Sequence, residues 1–136
     1  MPTIKVNWAG RRQFVGSDSN GHSIVLSGDD PPAGVRPAEM LLVALAACSG
    51  YDVVEIMEKK RQALDFFEVV VDGRHDEKAP WPYRTITVTY RLRGQQVTAK
   101  AVEQAVKLSI DKYCSVAATV SGVAEIQTNY EILPAA

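Results

Sequence analysis

The sequence predicts an α+β fold whose elements follow the order βββαββααβ. Three observations carry this prediction: short strand-like segments open the chain, one long apolar helical segment follows them, and the later strands and helices are segregated. Regular alternation of strands and helices would instead predict a doubly wound parallel sheet. The length of 136 residues suits a single domain, spanning residues 1–136, with a sizeable core.

The first three strands are predicted from short alternating segments. Residues 3–8 alternate apolar and polar side chains, residues 13–17 form a second candidate strand, and residues 22–28 form a third. The turn sequence SNG separates the second strand from the third. Residues 29–37 are rich in proline and glycine and are predicted to form a loop.

A long helix is predicted from Pro37 to about Ala63. Proline suits the first helical position because its missing N–H would have no partner there. The segment from Met40 to Cys48 is apolar all round, which is typical of a helix buried on most sides. Gly50 lies inside this helix at a cost of roughly 1 kcal/mol relative to alanine. It can kink the helix or let a neighbouring element come close.

The second half of the chain predicts two more strands, two helices and a last strand. Residues 65–76 and 83–94 are predicted to form an antiparallel pair, and residues 98–113 have helical periodicity. A break near Tyr113 leads into a short helix, and residues 124–133 form the last strand. Within the 83–94 strand the apolar face is predicted to consist of Ile86, Val88 and Tyr90.

Composition and charge exclude several classes of protein. The 15 basic and 16 acidic residues nearly balance, which argues against a nucleic acid or a membrane surface as the main partner. No run of 18 apolar residues predicts a transmembrane helix, and the N-terminus lacks the apolar segment of a signal peptide. We therefore expect a cytoplasmic protein, in which cysteines are kept reduced and are either redox-active or simply buried.

The two cysteines are the candidates for chemistry, and local sequence leaves both interpretations open. Cys48 ends an apolar run, which favours a buried, inert thiol. Cys114 is expected at the start of a short helix, where the helix dipole favours a thiolate and the nearby Lys112 can add to that effect.

No other kind of active site is predicted. Two cysteines and two histidines, none at the close spacing of a zinc motif, predict no metal site. The chain has no glycine-rich phosphate loop and no G-x-S-x-G motif, and its acidic residues are scattered. We therefore expect no cofactor.

The whole pattern resembles the OsmC/Ohr superfamily, the osmotically inducible and organic hydroperoxide resistance proteins. The resemblance covers nearly all of the chain. It rests on "RPAEMLLVALAACSGYDVV" around the first cysteine, "AVKLSIDKYCSVAATV" around the second, the opening "WAGRRQFVG" and the strand "ITVTYRLRG". The P-x-E-x-L helix start and the Y-C-S-V motif resemble the OsmC-like branch.

This resemblance implies a fold, an activity and a partner. The fold has a central buried helix against an antiparallel sheet, and two chains intertwine into a homodimer. The implied activity is a thiol-dependent peroxidase that reduces organic hydroperoxides in the oxidative stress response. Cys48 takes the place of the cysteine that attacks the peroxide, and Cys114 takes the place of the resolving cysteine. Cys48 would become a sulfenic acid, Cys114 would convert it to a disulfide, and an external dithiol would reduce the pair.

A buried thiol needs a cation to ionise, and the resemblance implies an arginine from an N-terminal strand. Arg11 and Arg12 lie in that region, and Arg36 is the reserve candidate at the helix start. If Arg11 and Arg12 lie on a strand, they point to opposite faces and only one can serve Cys48.

The resemblance also implies a glutamate that directly follows the proline at the helix start. Here Ala38 follows Pro37, and the carboxylate comes one place later, at Glu39. Nine residues of helix separate Glu39 from Cys48, about 13 Å of axis and nearly opposite faces. Glu39 can therefore reach Cys48 only through an arginine or from the other chain of a dimer. Alternatively, it stabilises the start of its own helix.

Two other functions stay open at this point. One is a non-enzymatic binding protein that holds an apolar ligand at the dimer interface. The other is a redox sensor whose disulfide alters a partner surface. A peroxidase needs the two cysteine Cα atoms within about 7 Å of each other, or mobile enough to come that close.

Overall fold

The computed structural model describes all 136 residues and has the predicted order of elements. The fold is α+β, with two three-stranded sheets and one long helix. The chain forms two compact units, residues 1–41 and residues 42–136. A single domain over residues 1–136 stays a prediction.

The first unit contains an antiparallel sheet in the order β1-β2-β3. Its strands are β1 (Lys5–Trp8), β2 (Gln13–Ser17) and β3 (Ser23–Ser27). All residues of β1 are exposed, including Val6 and Trp8. After β3 the chain turns back, and Val35 pairs with Leu26 in a short parallel bridge.

The return of the chain toward β3 depends on a glycine. A Cβ atom at Gly34 would lie 2.6 Å from the carbonyl oxygen of Val25, and that oxygen also accepts a hydrogen bond from Val35 N–H at 3.0 Å. We expect Gly34→Ala to lower the free energy of unfolding by about 1–3 kcal/mol, because backbone must shift to relieve the overlap. The urea midpoint measures this loss. Gly122→Ala is the control, since its Cβ would meet nothing nearer than 3.6 Å, and an equal loss there would contradict the prediction.

Helix α1 (Pro37–Lys59) starts where predicted and ends four residues earlier than predicted. Pro37 occupies its first position, and Met40 N–H donates to the carbonyl of Arg36 at 2.9 Å. The helix ends because Arg61 adopts a left-handed conformation, with φ of 57°. The helix is long and apolar enough to cross a membrane by length and composition alone, with a mean hydropathy of 1.7 over an 18-residue window. The core helices of many proteins also meet this criterion.

One face of α1 is buried in the second unit. The buried side chains are Leu45, Ser49, Gly50, Val53 and Met57. The opposite face is open, with Val43, Ala47 and Tyr51 exposed. The prediction that α1 is buried on most sides is therefore wrong for the single chain, because the sheet covers only one face.

The second sheet has the order β4-β5-β6. Strands β4 (Phe66–His75) and β5 (Tyr83–Arg93) pair antiparallel, as predicted. β6 (Glu125–Ile132) runs parallel to β5. The sheet is therefore mixed rather than wholly antiparallel, because the helices between β5 and β6 form a crossover that returns the chain in the same direction. The inward face of β5 is fully buried and consists of Ile86, Val88, Tyr90 and Leu92.

The crossover contains a departure from the predicted helix over residues 98–113. α2 (Ala99–Leu108) continues directly into a π-helical turn, Ser109–Tyr113, which we call the π segment. α3 (Ser115–Val120) follows immediately. Cys114 lies between the π segment and α3, with an extended backbone.

Candidate functional site

The structure brings the two cysteines together. Cys48 lies on α1 and is half-buried, whereas Cys114 is buried between the π segment and α3. Both are free thiols, and their side chains hydrogen-bond to each other. The backbone N–H of Cys114 donates to the carbonyl of Ser109 at 2.8 Å, and its sulfur accepts from Ala117 N–H at 3.3 Å. Cys114 is therefore held by its own local backbone and presented to Cys48.

The surroundings of Cys48 lower the pKa of its thiol. Desolvation is the largest single effect and raises the pKa, but three hydrogen bonds together outweigh it. They come from Cys114, from the backbone N–H of Val116 and from the Ser115 side chain. The charge of Asp52 acts weakly in the raising direction. The Cys48 thiolate is thus stabilised by hydrogen-bond donors at the start of α3.

The surroundings of Cys114 do the opposite. Burial, followed by the hydrogen bond with Cys48, raises the pKa of Cys114 to about 11. The N–H groups of Ala117 and Val116 at the start of α3 do lower the pKa of Cys114, as expected of a helix start, but burial and the bond with Cys48 outweigh them. The sulfur is buried too deeply for the dipole of so short a helix to dominate, and Lys112 instead lies over the Tyr113 ring, 5.4 Å from its centroid. The two thiols thus differ: the pKa of Cys48 is lowered and that of Cys114 is raised.

A chain of buried side chains passes beside the cysteines. The hydroxyls of Ser49 and Tyr90 lie 2.5 Å apart, and those of Ser49 and Ser109 lie 2.8 Å apart. Ser109 donates to a carboxylate oxygen of Asp52 at 2.9 Å. Asp52, one helical turn after Cys48, is thus a hydrogen-bonding residue. We call these four residues the hydroxyl chain.

The open face of α1 carries an apolar groove of about 700 Å³. Its lining includes Ala46, Ala47 and Gly50 from α1 and Phe67 from β4. A Cβ atom at Gly50 would lie 3.1 Å from the Phe67 ring, so the glycine lets the sheet approach the helix closely. Neither cysteine lines this groove.

Arg11 and Arg12 lie in the turn between β1 and β2, not on a strand. Arg11 adopts a left-handed conformation with φ of 50°. Both guanidinium groups approach the same oxygen of Asp29, at 3.7 Å and 3.9 Å. The expectation that the two side chains point to opposite faces is therefore wrong, because the turn directs both toward one carboxylate.

Asp29 is a residue that the sequence did not single out. Its side chain is nearly buried, its backbone N–H donates to Ser27 Oγ at 3.1 Å, and its Oδ1 accepts no hydrogen bond. Glu39, by contrast, is exposed in the first turn of α1 and forms no ion pair. Arg36 is half-buried and its carbonyl caps the same helix. Within the first unit, Asp29 rather than Glu39 is the carboxylate beside the arginines.

No three histidine, cysteine, aspartate or glutamate side chains are grouped closely enough to hold a metal ion. The candidate site therefore consists of the thiol pair, its hydrogen-bond donors and the hydroxyl chain.

Comparison with known proteins decides the family. The pattern of the family described as OsmC-like protein matches residues 28–129. The chain belongs to the OsmC-like family. Protein YhfA of Escherichia coli is 34% identical to it over 131 residues, which cover 96% of this chain and 98% of YhfA.

Solved structures agree with this assignment. A hypothetical protein from Aquifex aeolicus is 34% identical, with a TM-score of 0.89 over 98% of this OsmC-like chain and 96% of that one. An organic hydroperoxide resistance protein OsmC from Legionella pneumophila is 11% identical, with a TM-score of 0.69 over 96% of each chain. At that identity the likeness concerns the fold alone.

Proposed function

We propose that the protein is a thiol-dependent peroxidase that reduces organic hydroperoxides with Cys48 and Cys114. The observation that carries the proposal is the contact between two free thiols whose pKa values move in opposite directions. A thiol with a lowered pKa attacks as a thiolate, and a neighbour that keeps its proton does not compete for the peroxide. The arrangement supports the roles that the family resemblance implies.

In the proposed reaction the Cys48 thiolate attacks one peroxide oxygen and the O–O bond breaks. The departing alkoxide takes a proton from solvent and leaves as an alcohol, and Cys48 becomes a sulfenic acid. The Cys114 sulfur then attacks Cys48, its proton goes to the departing hydroxide, and water and a disulfide result. An external dithiol of the cytoplasm, where we propose that the protein acts, reduces the disulfide by thiol–disulfide exchange.

The preference for organic over hydrogen peroxide follows from the apolar setting of Cys48. Its side chain packs against the hydrophobic core of the second unit. An alkyl group that leaves water at such a surface gains about 25 cal/mol for each Å² of apolar area that it buries.

The test is the stoichiometric consumption of peroxide by the reduced protein. We expect cumene hydroperoxide to be consumed faster than hydrogen peroxide, with two thiols lost for each peroxide. Protein alkylated beforehand at both cysteines is the control. Unchanged thiol content after prolonged incubation with cumene hydroperoxide would overturn the proposal.

A second candidate is a binding protein for an apolar ligand, and the groove on α1 favours it. The groove is apolar and neither cysteine lines it. A fluorescent fatty acid that binds with equal affinity to the wild type and to the doubly alkylated protein would support this alternative.

We also propose that a second copy of the chain covers the exposed face of α1. Each unit exposes large apolar side chains: Val6 and Trp8 in the first, and Val43 and Tyr51 in the second. Such exposed apolar patches are typical of interfaces between protein chains, and homodimers related by a two-fold axis are the commonest assembly.

The oligomeric state tests this interface. We expect the wild type to sediment as a dimer at micromolar concentration and Val43→Glu to sediment as a monomer, because a carboxylate on this face would be buried without a partner. Val123→Glu is a matched control, since Val43 is 50% exposed and Val123, in the turn after α3, is 61% exposed. A wild-type monomer, or a dimer that withstands Val43→Glu, would contradict the proposed interface.

A further inference from the structure

We propose that the hydroxyl chain formed by Tyr90, Ser49, Ser109 and Asp52 positions the two thiols and thereby sets the stability of the Cys48–Cys114 disulfide. This inference rests on the proposed function, because it assumes that the two cysteines form a disulfide. It concerns residues that neither attack the peroxide nor resolve the sulfenic acid. They are positioning residues that act through the backbone around each cysteine.

The hydrogen bonds of the hydroxyl chain all run in one donor-to-acceptor direction. Ser109 donates its only hydroxyl hydrogen to Asp52 at 2.9 Å, with the carbonyl oxygen of Ser49 as a more distant acceptor at 3.3 Å. The Ser109 oxygen is therefore left to accept from the Ser49 hydroxyl at 2.8 Å. Ser49 has then used its own hydrogen and accepts from Tyr90 at 2.5 Å. Each hydroxyl donates once, and the chain ends on a carboxylate, which only accepts when it is ionised. Such a complete network stabilises the fold by more than the sum of its separate hydrogen bonds, and it favours one arrangement of the groups.

The network ties together the elements that carry the cysteines. Ser49 directly follows Cys48, and Asp52 lies one helical turn after it, so two members belong to the segment of α1 that holds the first sulfur. Ser109 belongs to the π segment, and its carbonyl accepts the N–H of Cys114 at 2.8 Å. Ser109 therefore holds Cys114 by its backbone and the Cys48 segment by its side chain.

The π segment makes this double contact possible. The hydrogen bond from Cys114 to Ser109 spans five residues, as in a π-helical turn, whereas an α-helical turn spans four. The wider turn leaves Ser109 buried and facing α1 while the chain opens to an extended conformation at Cys114. π-helical turns within helices often occur at functional sites.

Because the hydroxyl chain is buried, the loss of any one of its hydrogen bonds is costly. Ser49, Tyr90 and Ser109 are all fully buried. Burial and the bond with Ser49 act on Tyr90 in opposite senses, and burial dominates, which raises the pKa of Tyr90 to about 12 and keeps its hydroxyl available as a donor. Loss of one member leaves a buried partner without a hydrogen bond, so the remaining groups rearrange rather than stay in place.

The experiment measures the equilibrium between the dithiol and the disulfide in glutathione buffers. Two protein thiols and one oxidised glutathione give the protein disulfide and two reduced glutathione molecules, so atoms and electrons balance. We expect Ser109→Ala to lower the equilibrium constant for disulfide formation about tenfold, which corresponds to about 30 mV for this two-electron couple. We expect Tyr90→Phe, which removes only the terminal hydroxyl of the hydroxyl chain, to lower this equilibrium constant about threefold.

Ile86→Val is the control variant, because it weakens the core on β5 without touching a hydroxyl. We expect its equilibrium constant to equal that of the wild type, whereas a merely structural role for the hydroxyl chain would move all three variants together. If Ser109→Ala does not fold, Tyr90→Phe decides alone. If Ser109→Ala and Tyr90→Phe both have the wild-type equilibrium constant for disulfide formation, the inference is overturned and the proposed function is left intact. A wild type that forms no Cys48–Cys114 disulfide at any glutathione ratio would overturn both.

Discussion

Replacing Cys48 by serine is expected to abolish peroxide consumption, because a serine hydroxyl is not ionised at neutral pH and attacks peroxide far more slowly than a thiolate. Cys114→Ser is expected to behave differently. The Cys48 thiol remains and consumes one equivalent of peroxide, but no resolving thiol follows. The sulfenic acid then persists and oxidises further to the sulfinic acid. Single-turnover consumption of cumene hydroperoxide and the mass of the intact protein measure both outcomes.

The serine variants preserve the volume of the site closely, but each places a hydroxyl where a thiol was, so folding has to be measured separately from activity. The urea midpoint of each variant provides the control. Peroxide turnover in Cys48→Ser equal to that of the wild type would contradict the peroxidase proposal. Sustained turnover in Cys114→Ser with a dithiol present would remove only the role of Cys114, because a small thiol would then resolve the sulfenic acid directly.

The elements with strong local patterns were predictable from the sequence. Alternation over residues 83–94 predicted which side chains of β5 point into the core, and Pro37 marked the start of α1. These features depend on neighbouring residues alone. The early end of α1 was not predictable, because the residues up to Ala63 continue a helical pattern and only the backbone conformation of Arg61 breaks it.

The cysteine pair was predicted from the family resemblance, whereas its surroundings depend on contacts that no local pattern shows. The π segment differs from an α-helix by one residue per turn, which a short window of periodicity does not resolve. One signal was present: Ser109 falls four residues after Ala105, on the apolar face of α2, and a polar residue there needs a buried partner. Asp29 lies in a loop by composition, where nothing marks a carboxylate that becomes buried beside two arginines.

Two different sources of stabilisation are proposed for the Cys48 thiolate. The resemblance implies an arginine, and Arg11, Arg12 and Arg36 stay the candidates for it. The structure adds hydrogen bonds from Cys114, Val116 and Ser115, which lower the pKa of Cys48 against the effect of desolvation. A group whose pKa falls ionises at lower pH, so loss of either source shifts the labelling of Cys48 by iodoacetamide toward higher pH.

Ser115→Ala is expected to slow the labelling of Cys48 at neutral pH roughly tenfold, because one hydrogen bond to a charged group stabilises it by about 1.5 kcal/mol or more. Replacing the arginine that serves Cys48 by alanine is expected to move its pKa toward that of a free thiol, about 8.5. Arg11→Ala, Arg12→Ala and Arg36→Ala are labelled in parallel. Because Cys114 donates one of the hydrogen bonds, it is left unchanged, and mass spectrometry of the peptides distinguishes the two cysteines.

The control within the same measurement is Cys114, whose pKa of about 11 predicts labelling only in strongly alkaline solution. Ser121→Ala removes an exposed hydroxyl from the other end of α3 and should leave the labelling of Cys48 unchanged. A shift in Ser115→Ala with none in the arginine variants would assign the thiolate to the hydrogen bonds at the start of α3. If none of the four variants moves the labelling curve and Cys48 in the wild type is labelled only in alkaline solution, as a free thiol is, Cys48 is not activated by either source. The binding-protein interpretation would then replace the peroxidase, since a thiol that stays protonated does not attack a hydroperoxide at a useful rate.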